Sequence, residues 1–385
     1  MRVILLTGKG GVGKTSLSLA TAFGAAAHGR RAFVLSTDPA HSVGDALGCR
    51  LGSAPTRVAD GVTVQEVSVL DEMDRSWGQI QRFLRGLLRD EANELVAEEL
   101  LSFPGLEELI SLRAIREVEA TGDYDLCVVD CAPTGATLRM LRFPDVLRIF
   151  MENFFEVKRR GARLVRPLLE RLHAERLVPG EEIFDAFEKL YNDVDAVRAI
   201  LLDDSRTSAR LVVNPTRVVV DETRRSFAYL SLYGVATDAV LVNRVLPEGA
   251  GEGWFRHWAA RERAELASIE ASFPVPRFQA PLYPRELTGA SDLARLARDL
   301  YGDSDPAELF TRARPIRLRK HMGRPRLEID LPGASKEEIE VAAHGPDLLV
   351  RVRDATRIVA LPGSVTGRAV RRARLDAGVL LVDFE

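Results

Sequence analysis

Cysteine is scarce in this 385-residue chain: Cys49, Cys127 and Cys131 are all there are. No two stand in a C-x-x-C pair, so neither a zinc knuckle nor a redox pair is signalled. An odd, low count suits a reducing cytosol, and a cytoplasmic location is expected. Long apolar runs are also missing, and without about 18 consecutive apolar residues nothing is expected to span a membrane. The short run at residues 3–6 is expected to be a first strand rather than a signal peptide. An excess of one charge is absent: 53 Lys and Arg against 56 Asp and Glu leave a net −3, which asks for no nucleic acid. Five methionines give little material for an adaptable, Met-rich binding surface.

The length sets a prior of two or three domains, and 46% hydrophobic with 28% charged residues is ordinary globular composition. The stretch that organises the rest is Gly8-Lys9-Gly10-Gly11-Val12-Gly13-Lys14-Thr15, between the apolar run and a helix-like run starting at Ser16. Strand, glycine loop and helix with the spacing G-x-x-x-x-G-K-T make a P-loop, not a chance glycine turn. Gly10, Gly11 and Gly13 let backbone N–H groups turn inward around phosphate oxygens. The helix N-terminus adds partial positive charge. Lys14 is expected to neutralise the β- and γ-phosphates of ATP, and the Thr15 hydroxyl to ligate Mg²⁺. Lys9 is the unusual residue, because it cannot easily fold back on its own phosphates while Lys14 occupies them. An exposed lysine on a loop rim is the plainer alternative.

Residues 31–37 read as a buried parallel strand that delivers Asp38 at its carboxyl end, where ligands sit in open α/β sheets. Alone, Asp38-Pro39 is a turn; behind a P-loop, Asp38 is the candidate to hold and polarise the attacking water. Another strand is expected at 63–68, and a helical region at about 71–119 carries one apolar face from Ile80 to Leu88. Residues 124–130 form an apolar strand ending in Asp130, placed to hold a Mg²⁺-bound water. The loop after it, 131–139, is small and mobile enough to sense hydrolysis.

A second helical region is expected at 145–206, with stripes at Leu147–Phe155 and at Phe187, Leu190, Val194, Val197 and Leu201. Each stripe reads either as ordinary helix packing or as a groove for an apolar client helix. Strands return at 210–213, 239–243 and 275–278, with helices at 221–232, 254–272 and 291–301. Asn243 stands at a strand end, where it reads either as a satisfied turn residue or as a partner for an adenine edge.

The first domain is taken as 1–302, a linker as 303–314 and a small β-sandwich as 315–385. The sandwich rests on short strands at 326–331, 348–352, 357–361 and 379–384, separated by turn dipeptides. Seven Lys and Arg with no acid between 312 and 326 read as a solvated edge, with membrane-lipid contact as the alternative.

Lys9 in its loop resembles the deviant Walker A class, which includes ArsA, MinD, ParA and the nitrogenase iron protein. Together with Ser36-Thr37-Asp38-Pro39-Ala40-His41-Ser42 and the run from Asp130 to Arg139, the P-loop resembles the ArsA and guided-entry-of-tail-anchored-proteins ATPase family. Pro104-Gly105 with Glu108, and Asp221-Glu222-Thr223-Arg224, also look like that family. The resemblance covers about residues 1–300 and implies a mostly parallel α/β P-loop NTPase fold of the SIMIBI type with helical insertions. It implies a homodimer closing on ATP, Asp38 activating water, Lys9 acting in trans, and Asn243 with Pro281 in the adenine pocket. Cys131 and Ala136 depart from the residues usual there, and a zinc C-x-x-C pair, a second ATPase half and an arsenite-binding cysteine trio are missing. Residues 326–385 resemble a small heat-shock protein α-crystallin domain through Leu331-Pro332-Gly333, Glu337-Glu338-Ile339, Leu361-Pro362, Ala373 and Gly378-Val379-Leu380.

The expectation is a homodimeric, Mg²⁺-dependent ATPase whose cycle drives binding or targeting of hydrophobic protein segments, with a membrane-associated partner. One alternative is an arsenite-transporting ATPase subunit, for which soft thiolates would be required. Another is a ParA- or MinD-like positioning switch, weakened because no C-terminal amphipathic membrane helix is seen.

Overall fold

The computed structural model describes residues 1–37, 42–67, 78, 113–132, 181–249, 253–312, 314–344, 347–359 and 361–385. Asp38, the Ile80–Leu88 face, the loop from 133 and the Leu147–Phe155 stripe lie outside them.

Two apolar runs set the middle of the first domain. Strand β1 (Arg2–Thr7) lies between β5 (Leu126–Asp130) and β6 (Thr207–Val213), parallel to both. Alternate residues feed opposite faces: Val3, Leu5, Cys127 and Val129 enter one core, and Ile4, Leu6, Leu126 and Val128 the other. Burial on both faces is what continuous apolar strands require, and parallel strands need helices to cover them. Outward from β5 come β2 (Ala32–Ser36), β4 (Val62–Glu66) and β3 (Thr56–Ala59); outward from β6 come β7 (Thr237–Val245) and β8 (Arg277–Pro281). All neighbours run parallel except β3, an antiparallel edge that alternation alone did not announce.

Helices α1 (Lys14–Ala27) and α7 (Ala290–Tyr301) cover one face. Between them in sequence come α2 (Ser42–Leu47), α3 (Arg113–Thr121), α4 (Glu181–Leu202), α5 (Arg217–Tyr233) and α6 (Arg256–Ser272). The stripe on α4 resolves as packing: Leu190, Val194, Val197 and Leu201 are buried in the core of the second face. They form no open groove, because the sheet already occupies that face.

The segment after α7 is fastened to the first domain. The buried Arg210 guanidinium donates to both oxygens of buried Asp238, to Tyr301 Oη at 3.3 Å and to the Glu308 carbonyl at 3.0 Å. It also lies 4.4 Å over the Phe310 ring. A buried guanidinium with partners on all sides avoids the several kcal/mol, about 3–5, that an unpaired buried charge costs.

Among the described residues, the C-terminal domain has two antiparallel sheets. One is ordered β14 (Val370–Asp376), β15 (Val379–Phe384), β10 (Arg324–Asp330), β9 (Ile316–His321); the other is β11 (Ile339–His344), β12 (Asp347–Val352), β13 (Ala355–Val359). Leu327, Ile329, Leu348, Val350, Val352, Leu380, Val382 and Phe384 fill the space between them, together with Tyr229 and Leu232 of α5. The α/β domain and the all-β domain are thus both as expected, with β9, β11 and β14 added to the strands read from sequence. β9 holds much of the basic run. Arg317 is paired with Asp330 and Arg319 with Glu328 on this edge strand, where charge discourages further strand pairing. Tyr233 Oη donates to the Thr356 carbonyl at 3.4 Å, and Tyr229 donates to Asp354, tying α5 to the sandwich.

Candidate active site

The carboxyl ends of β1, β5, β6 and β7 converge on one edge of the sheet, the position where open α/β sheets bind ligands. The loop from Gly8 to Gly13 leaves β1 there and opens α1. Gly13 adopts φ 95° and ψ 30° as the residue before the helix, and a Cβ on it would stand 2.3 Å from Asn243 Nδ2. Gly8 is equally confined: a Cβ there would meet the Val212 carbonyl oxygen at 2.4 Å. These two positions admit only glycine, which fixes the loop against β6 and β7.

Lys14 is 6% exposed and its Nζ donates to the Lys9 carbonyl at 3.5 Å. A nearly buried ammonium at the N-terminus of a 14-residue helix is a fitting counter-charge for phosphate oxygens. Lys9 does not join it: its ammonium is 3.4 Å from Glu222 Oε2 on α5. The two lysines of the loop therefore point to different places.

Thr15 Oγ1 donates to Asp130 Oδ2 at 2.7 Å and lies 2.9 Å from Ser42 Oγ. The single Thr15 proton goes to the carboxylate, so Ser42 is the donor to Thr15. Ser18 Oγ donates to Asp130 Oδ1 at 3.3 Å. Asp130 is fully buried. A buried carboxylate beside two hydroxyls is a hard-oxygen donor set of the kind Mg²⁺ takes. Ser42 is held by the start of α2, where Glu66 Oε1 accepts the N–H groups of Val43 and Gly44, both at 3.1 Å.

Asn243, 8% exposed, braces the loop from below. Its Nδ2 donates to the Val12 carbonyl at 2.8 Å, and its Oδ1 accepts from Arg244 N at 3.0 Å. Arg244 has φ 62°, a left-handed conformation for a non-glycine residue, and its guanidinium donates to the Gly11 carbonyl at 3.2 Å. Pro281 stands opposite Val245 on β8. Next to both runs a cleft of about 740 Å³, lined by Asn214, Arg244, Phe255, Trp258, Glu262 and Leu282. Burial pushes the Glu262 carboxyl above its usual range although it accepts the Leu246 N–H.

Two cysteines flank this region. Burial pushes the Cys127 thiol up to about 12. Burial and the adjacent Asp130 carboxylate push Cys131 higher still. Both stay protonated thiols, whereas Cys49 is exposed.

Of the residues expected from sequence, the structure brings together Gly8 through Ser16, Asp130 and Asn243; Pro281 pairs with Val245, two residues beyond Asn243, and Asp38 lies outside the described residues. Glu66, Ser18, Glu222 and Arg244 were not anticipated as site residues. Glu222 lies within the run Asp221-Glu222-Thr223-Arg224 and Arg244 follows Asn243, but pairing across the sheet edge is invisible in a linear pattern. Among the described residues, no helix is long and apolar enough to cross a membrane.

Comparison with known proteins agrees with this geometry. Residues 1–302 match the family described as anion-transporting ATPase, and residues 323–384 match the HSP20-like domain found in ArsA. A protein of Aquifex aeolicus named "Putative arsenical pump-driving ATPase 1" is 32% identical over 394 residues, covering 99% of each chain. One of Prosthecochloris vibrioformis, "Putative arsenical pump-driving ATPase", is 35% identical over 374 residues, covering 95% of this chain and 92% of its own. "ATPase ASNA1 homolog 1" of Paramecium tetraurelia is 29% identical over 251 residues, covering 64% of this chain and 75% of its own. With a P-loop at the head of the sheet and an HSP20-like sandwich behind it, the chain belongs to the ArsA family of anion-transporting ATPases and is an ATP hydrolase.

Proposed function

We propose that the chain works as a homodimer in which Mg²⁺-dependent hydrolysis of ATP drives capture and release of hydrophobic helical segments. The observation that carries the dimer is the divergence of the two P-loop lysines: Lys14 is tucked at the head of α1, while Lys9 reaches out to Glu222. A lysine turned away from its own cradle is available to a partner's nucleotide. In this reading the first domain is 1–302, joined through 303–314 to the sandwich of 315–385.

Thr15 and Asp130, with Ser42 beside them, would hold Mg²⁺, which supplies charge neutralisation on the β- and γ-phosphate oxygens. The loop N–H groups and Lys14 orient the triphosphate. Asp38 holds the attacking water in line and accepts its proton. Lys9 of the partner faces the charge that spreads over the transferring phosphoryl. The base of the nucleotide rests near Asn243 and Pro281, and the adjoining aromatic-lined cleft supports that position.

Client capture rests on the family resemblance of residues 1–300, and a membrane-associated acceptor and a cytoplasmic location follow from it. The names of the pump-driving relatives favour a second reading, an arsenite-transporting subunit. The buried, protonated Cys127 and Cys131 oppose it, because arsenite binds through thiolates. The deciding experiment measures ATPase rate and mass in solution, adding separately an apolar tail-anchor peptide and arsenite. A peptide-dependent change in rate or mass is expected. Stimulation by arsenite alone overturns the client reading.

A further inference from the structure

Between the two domains lies a second cleft, of about 730 Å³, remote in sequence from the P-loop. Phe227, Val275, Pro332 and Val379 give it apolar walls. Its lining also carries four arginines, Arg312, Arg314, Arg317 and Arg319, against two aspartates, Asp204 and Asp330.

Three of those arginines are committed. Arg314 pairs with Asp204 at 2.7 Å, Arg317 with Asp330 at 2.6 Å and Arg319 with Glu328 at 3.4 Å. Arg312 has no ion pair among the described residues, which leaves the cleft one unbalanced guanidinium. An independent feature lines the same cleft. Thr237, at the start of β7, is 3% exposed, and its buried hydroxyl has no hydrogen-bond partner among the described residues. Leaving a buried hydroxyl unmatched is unfavourable, and such groups are few in native folds, so one that lines a cleft is a group held ready for a ligand.

We infer that this interdomain cleft binds a small organic anion with an apolar body and a carboxylate or phosphate head. The volume falls within the range of small-molecule sites, apolar walls with a few placed polar groups are their usual make-up, and a guanidinium fork matches either head. Arg312 meets the head, Phe227 and Val379 cover the body, and the Thr237 hydroxyl takes an oxygen of the ligand. The inference does not depend on the proposed client or on the dimer.

The test is calorimetric titration of the full chain, saturated with ADP and Mg²⁺ so that the P-loop is occupied. The probes are octanoate, octyl phosphate, inorganic phosphate and octanol, each up to about 5 mM. Saturable binding of octanoate, octyl phosphate or both is expected, and the stronger of the two names the head. Arg312→Glu, at an exposed position, is expected to weaken that binding about tenfold, the loss of one charge-assisted contact. Thr237→Val is expected to weaken it severalfold while raising the melting temperature of the ligand-free protein. Octanol binding as well as octanoate overturns the inference, as does inorganic phosphate binding as well as octyl phosphate. Absence of binding by all four, or unchanged affinity in both variants, overturns it too.

Discussion

The Lys9 ammonium and the Glu222 carboxylate are 3.4 Å apart, with side chains 38% and 30% exposed. An ion pair so open to solvent is worth about 0–1 kcal/mol, so Lys9 is released at little cost. Glu222 therefore acts as a weak rest for the lysine that we propose crosses to the partner. Lys9→Ala is expected to abolish ATP-driven dimer closure. Glu222→Gln is expected to leave closure intact or tighten it by up to about fivefold, the equivalent of one weak pair. Sedimentation with and without a non-hydrolysable ATP analogue measures both, and equal behaviour of Lys9→Ala and the parent removes the trans role.

Asp38 carries the proposed water-activating role. Asp38→Asn keeps ATP affinity but loses the base, and a hydrolysis rate lower by about 10²–10⁴ is expected. Single-turnover assays beside nucleotide-binding titrations separate the two effects. Full turnover by the variant refutes the assignment.

Asn243 and Gly13 share one small space. Asn243→Ala removes the hydrogen bond to the Val12 carbonyl, and nucleotide affinity is expected to fall roughly tenfold. Gly13→Ala is expected to do worse, since its Cβ meets Asn243 Nδ2 at 2.3 Å and its φ of 95° is strained for alanine. Adding Asn243→Ala to Gly13→Ala relieves the clash but not the φ, so only partial recovery is expected. Additive losses in this double-mutant cycle would show that the two do not compete for space.

The three cysteines differ in reactivity by position. A thiol reagent is expected to titrate Cys49 alone in the native protein and all three in denaturant. Rapid native labelling of Cys127 or Cys131 would contradict their burial and reopen a thiolate site.

Acid sensitivity of the sandwich follows from Glu338. Its carboxylate accepts from Arg353 Nε at 2.7 Å and from Ser335 N at 2.9 Å, and these hold it at about 2, below its ordinary 4.5. A lowered native pKa stabilises the fold above the ordinary value, and the contribution is lost as pH falls toward about 2. Glu338→Gln is expected to lower stability at neutral pH and to flatten the loss on acidification. Hydrogen-exchange protection of β11, β12 and β13 across that pH range measures it; an unchanged slope would remove Glu338 from the acid response.

The P-loop was legible because its chemistry is local. Backbone N–H groups from consecutive glycines, a lysine and a hydroxyl must occur in one order and spacing, and Gly8 to Thr15 keep that order. Asp130 was legible because an apolar strand buried on both faces ends there in a single acid. The sandwich announced itself by short strands and turns, although β9, β11 and β14 did not: β9 and β14 are crowded with charged residues, and β11 is short and half-exposed, so all three give weak alternation.

What the sequence by itself determined is the set of short-range devices: the cradle, the strand that aims Asp130, and the family to which both belong. Tertiary structure alone decided that Lys9 rests on Glu222, that Ser42 meets Thr15, and that Asn243 braces Val12. It also decided that the α4 stripe is core, and that Arg312 and Thr237 border one cleft although 75 positions separate their numbers. Parallel strands are joined by long crossovers, so residues that meet at one sheet edge come from distant parts of the chain. Their meeting is set by strand order, and no local pattern encodes it.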